Sequence, residues 1–171
     1  MSPCSIVTMR THPTSSPSPN PLLKSAEVQG QGEAFQAMML GTGMSPLTAG
    51  PLDAGETQLL NEGLHRFDTA QFWHAHESWE DLWNALKRRE APNAEILLVQ
   101  GLIQTAAMLL HHERKNAVGV RKQWAKLHPK LSEWSTAWGL DISAHLEVIE
   151  TYALDAGQWT QTASDHQMPR A

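Results

Sequence analysis

The sequence predicts an all-α protein, a single compact bundle of about five helices over residues 53–157. From Asp53 onward apolar residues recur at helical spacing, no alternating β-branched run is long enough for a strand, and capping or breaking residues bound each apolar block. Asp53 is placed to cap a first helix in which Leu60, Leu64 and Phe67 follow the i, i+4, i+7 rule. Asp68 or Thr69 restarts the chain as a second helix reaching about Arg89, where the helix dipole favours the basic triplet Lys87-Arg88-Arg89. Pro92 and Asn93 mark a turn into a third helix from about Ala94 to Glu113, apolar on most sides as a central helix must be. A fourth helix runs from about Asn116 to Lys126. Beyond an irregular Trp-rich stretch, Asp141 caps the fifth, which carries Ile142, Leu146, Ile149 and Leu154 and is closed by Gly157.

The two ends of the chain read differently. Residues 1–52 hold four formal charges (Arg10, Lys24, Glu27 and Glu33), and the Ser/Pro-rich run 11–21 opposes helix and sheet alike, so a disordered extension is expected. Within it Glu33 to Leu40 fits a short helix, ended by Gly41, Gly43 and Pro46. The first 30 residues lack the continuous apolar block of a secretory signal and only weakly resemble a transit peptide; a translation start at Met9 or Met44 is an alternative. Residues 158–171 are expected to form a flexible tail. Of the charged residues, 11 basic and 16 acidic ones fall after residue 52, so the helical part carries the net charge of -5. An acidic total weighs against nucleic acid as the main partner. The single cysteine, Cys4, leaves no internal disulfide and no cysteine-based zinc site, which fits a reducing cytoplasmic setting. The longest apolar stretch, Ile96 to Leu110, spans about 15 positions interrupted by Gln100 and Gln104, short of the roughly 20 needed to cross a bilayer.

The second and third helices carry the polar residues of interest. At about 100° per residue, Phe72, Ala75, Trp79, Leu82, Trp83 and Leu86 share one apolar arc of the second helix. His76 and Glu80, four apart, lie on its flank beside Trp83, whereas His74 and Asp81 point to solvent. A carboxylate at the edge of a core must be hydrogen-bonded, paired or coordinated, or its pKa rises. On the third helix Asn93, Gln100, Gln104 and His111 fall within about 40° of one another, a polar stripe with Gly101 beside it. The economical inference is a polar seam in which this stripe faces His76 and Glu80. Such a seam fixes packing, forms a binding or catalytic pocket, or is completed by a second copy in a homo-oligomer.

The run from Phe72 to Trp83 (FWHAHESWEDLW), the run from Gln100 to Ala107 (QGLIQTAA), and then His111, Asn116 and Gly119 resemble the domain of unknown function 309 family of prokaryotes. The resemblance covers about residues 56–155. It implies a small, compact, all-helical domain and supplies no function. The signature positions map onto His76, Glu77, Glu80, Trp83, Gln100, Gly101, Gln104 and His111. Lys115 stands where the family often has glycine before the asparagine, which bears on the geometry of that turn.

Three functional readings follow from the residues. In the first, the seam binds a small polar ligand: Trp73 and Trp83 form walls, while His76, Glu80, Gln100 and Gln104 hold and orient it. In the second, His76 and Glu80 ligate a divalent metal of a hydrolase-like enzyme, with Glu77 and His111 moving protons. The zincin motif has histidine where this chain has Glu80, and only Glu62-Gly63-Leu64-His65 fits the Glu-x-x-His pattern of di-iron bundles. In the third, the seam is structural or the domain meets an acidic partner through Arg114, Lys115, Arg121, Lys122, Lys126 and Lys130 around the fourth helix. No Gly-rich phosphate loop, nucleophile elbow or catalytic-cysteine setting is present, so the sequence leaves catalysis undecided.

Overall fold

The computed structural model describes residues 47–171; the expected helix Glu33–Leu40, Cys4 and most of the expected extension lie outside the described residues. Among the described residues five α-helices follow one another: α1 (Ala54–Asp68), α2 (Phe72–Arg88), α3 (Asn93–Glu113), α4 (Ala117–Leu131) and α5 (Ile142–Leu154). A small antiparallel ribbon, β1 (Thr136–Ala137) with β2 (Leu140–Asp141), stands between α4 and α5, and a single 3-10 turn spans Ala163–Asp165. Each of the first four helices packs on its sequence neighbour, and α3 touches α2, α4, α5 and the 3-10 turn. The expected all-α bundle is thus the fold, with α3 at its centre.

Local chemistry sets each boundary. Asp53 and Glu56 form a reciprocal capping box at α1, and Arg89 Nε donates to Glu56 at 2.7 Å, tying the start of α1 to the end of α2. The turns after α1, α2 and α3 repeat one backbone device. Gln71, Ala91 and Asn116 donate their N–H to the carbonyls of Arg66, Leu86 and His111, while Ala70, Glu90 and Lys115 donate to Phe67, Lys87 and His112. These are paired 6→1 and 5→2 Schellman bonds, which require a left-handed residue at the pivot. Ala70, Glu90 and Lys115 fill that position at φ 61, 54 and 54. Lys115 therefore occupies a conformation that glycine adopts more cheaply.

The core explains the helix faces. Phe72, Trp79, Leu82 and Leu86 are fully buried, as the apolar arc of α2 requires, with Phe67 of α1 buried against Phe72 and Trp79, and Trp79 Nε1 donates to the Leu60 carbonyl at 3.3 Å. This close approach depends on Gly63, where a Cβ would lie 2.1 Å from Trp79 Nε1. α3 is the one described helix long and apolar enough in composition to cross a membrane. Here Leu98, Val99, Leu102, Ala106, Met108 and Leu109 are buried between neighbouring helices. The expected end of the fourth helix at Lys126 is corrected: α4 continues through Pro129 to Leu131. A proline in the last turn removes few helix bonds, and burial of Leu127 and Leu131 offsets the loss. Gly101 serves that contact, since a Cβ there would lie 2.6 Å from Leu131.

The Trp-rich stretch is the β-ribbon, turned at Trp138 (φ 49) and Gly139 (φ 77), two consecutive positive-φ positions of a tight hairpin. The tail expected after Gly157 is also corrected, and the packed region is wider at both ends than 53–157. Leu47, Ala49 and Leu52 pack against the core, Gly50 N–H donates to the buried Glu95 carboxylate, and Trp138 Nε1 donates to the Gly50 carbonyl. At the other end Ala163, His166 and Met168 are buried. Asp68 accepts from Met168 N–H and from Arg170 Nη2, each at 2.8 Å. These anchors join residues about a hundred positions apart, which no local pattern reveals.

Two buried polar clusters fasten this C-terminal segment. His112 Nε2 donates to Asp155 at 2.8 Å, and Asp155 also accepts from the Thr160 backbone and hydroxyl and the Gln161 backbone. Burial pushes the Asp155 carboxyl upward, but the bonds from Thr160, Gln161 and His112 outweigh it and hold the carboxyl well below the usual range. In the second cluster His145 Nδ1 and His166 Nε2 lie 3.0 Å apart, their rings stacked at 5.1 Å, with Thr105 at 3.4 Å from the other nitrogen of His145. Burial, with His166 adding to it, pushes His145 well below the ordinary histidine value, and burial pulls His166 down to about 4 against the attraction of Asp68.

The two features give two expected outcomes. Lys115→Gly relieves the left-handed strain at some cost in unfolded-chain entropy, for a net stabilisation of about 0.5–1 kcal/mol in denaturant titrations. The unfolded chain protonates its histidines from about pH 6.5, whereas the fold keeps His166 neutral until about pH 4 and holds His145 neutral well below the ordinary histidine value. The contribution is complete above pH 6.5 and is lost as the pH falls toward 4, by up to about 1.4 kcal/mol per pH unit for each proton the fold excludes. Denaturant midpoints between pH 7.5 and 4.5 check this, and His166→Gln flattens the slope.

Candidate ligand site between three helices

A cavity of about 260 Å³ opens where α2, α3 and α4 diverge, and of the polar stripe expected on the third helix Gln100 and Gln104 line it while Asn93 and His111 do not. α2 supplies one wall with His76, Glu80 and Trp83, spaced so that all three fall on successive turns of one flank. α3 supplies the floor with Gln100, Ile103, Gln104 and Ala107, at i, i+3, i+4 and i+7 of one stripe. α4 supplies the opposite wall with Gln123 and Lys126. Five residues assigned to the seam from sequence, His76, Glu80, Trp83, Gln100 and Gln104, therefore line one cavity.

The bonding inside it is incomplete. Across the helices Lys130 Nζ donates to Gln104 Oε1 at 3.0 Å and also to the Lys126 carbonyl at 2.9 Å. His76 Nδ1 lies 3.8 Å from Glu80 Oε2, within electrostatic reach and beyond hydrogen-bonding distance. Among the described residues the buried side-chain nitrogens left without a hydrogen-bond partner are His76 Nδ1 and Trp83 Nε1, both on residues that line this cavity. The Lys87 ammonium sits 3.3 Å from the ring centroid of Trp83, fixing the indole by a cation–π contact. Glu80 is half exposed, 50% by side chain, so the burial cost expected for a carboxylate at the core edge does not arise.

Other residues assigned from sequence lie elsewhere. Trp73 does not line the cavity; it is 54% exposed and stacks on His76, ring centroids 5.5 Å apart and planes 5° from parallel. Glu77 is on the outer face of α2, where its carboxylate meets His74 Nδ1 at 3.1 Å. His111 is against the next turn, its Nδ1 3.2 Å from Asn116 Nδ2 and its ring over Gly119, where a Cβ would lie 2.6 Å from it. Its direction from the helix axis matches Gln104, but seven residues carry it about 10 Å further along α3. The proton-transfer roles assigned to Glu77 and His111 therefore have no geometric basis in this cavity. The metal assignment lacks a third ligand as well. His76 and Glu80 are the cavity's only His, Cys, Asp or Glu side chains, and no group of three such residues able to hold a metal occurs among the described residues.

Sequence reasoning missed the α4 wall. Gln123 and Lys126 are three apart and share a face, a signal available once α4 is known to pack on α3. Of the basic residues grouped from sequence around the fourth helix, the exposed Lys126 also lines the cavity, Lys130 donates to Gln104, and Arg121 Nη2 donates to the Ala156 carbonyl at 3.3 Å.

No curated protein and no solved structure matches the chain. Every residue lining the cavity except Lys126 falls within a segment that a family model recognises. That segment, residues 60–123, matches the family described as Domain of unknown function (DUF309), the family its motifs resemble.

Proposed function

We propose that this protein binds a small polar ligand in the cavity between α2, α3 and α4. One observation carries the reading: two residues that line one cavity, His76 and Trp83, each hold a buried nitrogen, Nδ1 and Nε1, without a protein partner. A seam whose only task is to fix packing pairs its polar groups with one another, because each buried group left unpaired costs about 1–3 kcal/mol. Here the Gln104–Lys130 bond is made, while the indole N–H, which can only donate, is not matched to any acceptor. The volume, about 260 Å³, suits a small molecule, and the lining mixes an apolar surface from Trp83, Ile103 and Ala107 with a few polar groups that orient a guest.

The reading is of binding. His76 and Glu80 remain as ligand contacts, Gln100 and Gln104 as orienting amides, and Trp73 as the plate that holds the His76 ring in place. Ligand-detected NMR against a library of small polar molecules tests it. The expected result is a set of binders whose signals vanish with Gln104→Leu while the melting temperature stays within a few degrees. Trp83→Phe separates function from stability: the unliganded protein is unchanged or more stable by up to about 1 kcal/mol, since an unpaired donor is removed, yet binding weakens. A library without binders, together with a Trp83→Phe protein destabilised by more than about 2 kcal/mol, overturns the proposal.

A further inference from the structure

The cavity is polarised in a way that narrows the ligand class. Its α2 wall includes Glu80 and its α4 wall Lys126, and no ion pair joins the two. Lys130 stands on the same side as Lys126, held to the floor by Gln104. Among the described residues neither lysine has a carboxylate partner, and their mutual repulsion, after burial, helps to pull the Lys130 ammonium below its usual value. Two ammonium groups side by side favour an anionic group between them. On the other wall Glu80 favours a cation. His76 Nδ1 lies 3.8 Å from Glu80 Oε2 on that wall and, with the proton on Nε2, is an acceptor without a protein partner.

A purely anionic guest would meet Glu80, a purely cationic guest would meet Lys126, and a neutral amide would leave both charges unanswered. We propose that the seam's ligand is a small zwitterion of the free amino-acid class, its carboxylate toward Lys126 on the α4 wall and its ammonium toward Glu80 and His76 on the α2 wall. Gln100, Gln104 and Gln123 lie between the two walls and supply neutral donors and acceptors to the guest's middle, and Trp83 offers its N–H. This inference rests on the ligand-binding reading of the same cavity and adds to it the charge pattern of the guest.

Isothermal titration calorimetry on the full chain, with the twenty common L-amino acids as probes, tests it. For the tightest binder, its decarboxylated amine and its deaminated acid are titrated beside it, together with a series of neutral primary amides. The expected result is at least one amino acid that binds tenfold or more tightly than either half-charged analogue. Lys126→Met then weakens the amino acid and the acid about tenfold and leaves the amine unchanged, whereas Glu80→Gln weakens the amino acid and the amine and leaves the acid unchanged. Both positions are at the cavity rim, and circular dichroism confirms that each variant keeps its helices. An acid that binds as tightly as the amino acid, or is insensitive to Lys126→Met, overturns the zwitterion. Neutral amides that bind and are lost with Gln104→Leu, with no amino acid binding, overturn it while leaving the ligand-binding reading intact; no binding by any probe overturns it too, and the broader library result then decides the reading beneath it.

Discussion

α3 is the constraint around which the molecule is organised. A helix of 21 residues that is apolar on nearly every side is not stable in water by itself, and each buried Leu, Val, Ile or Met adds about 1.5–3 kcal/mol only when neighbours cover it. α2 and α4 cover it from two sides, and α5 and the C-terminal segment close further parts. Covering a cylinder with other cylinders leaves grooves, and the composition of α3 decides which groove matters. Gln100 and Gln104 are the two amides in its middle, and they fall where α2 and α4 part, whereas Thr105 beside them bonds the Gly101 carbonyl and meets His145. The cavity is therefore not an accident of loose packing. It lies where the central helix itself stops asking for apolar neighbours.

The periphery depends on the same helix through polar chemistry. His112 near the end of α3 holds Asp155, and Thr105 in its middle meets His145, which in turn holds His166. Residues 155–168 are thereby locked to α3 by groups that are buried and bonded. A C-terminal segment with little apolar content could not have been held by burial alone, and the stacked histidines make its attachment sensitive to protons in the range where free imidazole titrates.

Helix existence was legible because α-helical periodicity is a local property: Leu60, Leu64 and Phe67 mark α1, and all three are buried. Motif spacing within one helix carried further, so that His76, Glu80 and Trp83 on α2 and Gln100 and Gln104 on α3 came to share a cavity. Reasoning by angle alone failed where position along the axis mattered, as with His111, and where an exposed residue touched the site only through another, as Trp73 does through His76. The end of α4 beyond Lys126 was not legible because the burial of Leu131 against Gly101 depends on a partner thirty residues away. The C-terminal anchors were illegible for the same reason. Asp68 and Arg170 show no pattern in sequence, and only the finished bundle brings them within 2.8 Å.

Comparison of the three polar clusters within this one bundle bears on what the seam is for. The Asp155 cluster satisfies its carboxylate with bonds from His112, Thr160 and Gln161, and the His145 cluster pairs imidazole with imidazole and a hydroxyl. His112 and Asp155 in the first and His145, His166 and Thr105 in the second are more than nine-tenths buried, and both clusters join segments distant in sequence. The protein thus meets the usual requirement that buried polar groups be bonded wherever their role is to hold the chain together. The seam departs from that practice with the same kinds of residues. His76 Nδ1 and Trp83 Nε1 stay unpaired, no ion pair joins Glu80 to Lys126, and Glu80 is half exposed. A structural seam built to the standard of the other two would have brought Glu80 to Lys126 or paired Trp83 with Gln100. That the chain solves this problem twice elsewhere is the physical ground for reading the third cluster as a place prepared for a guest.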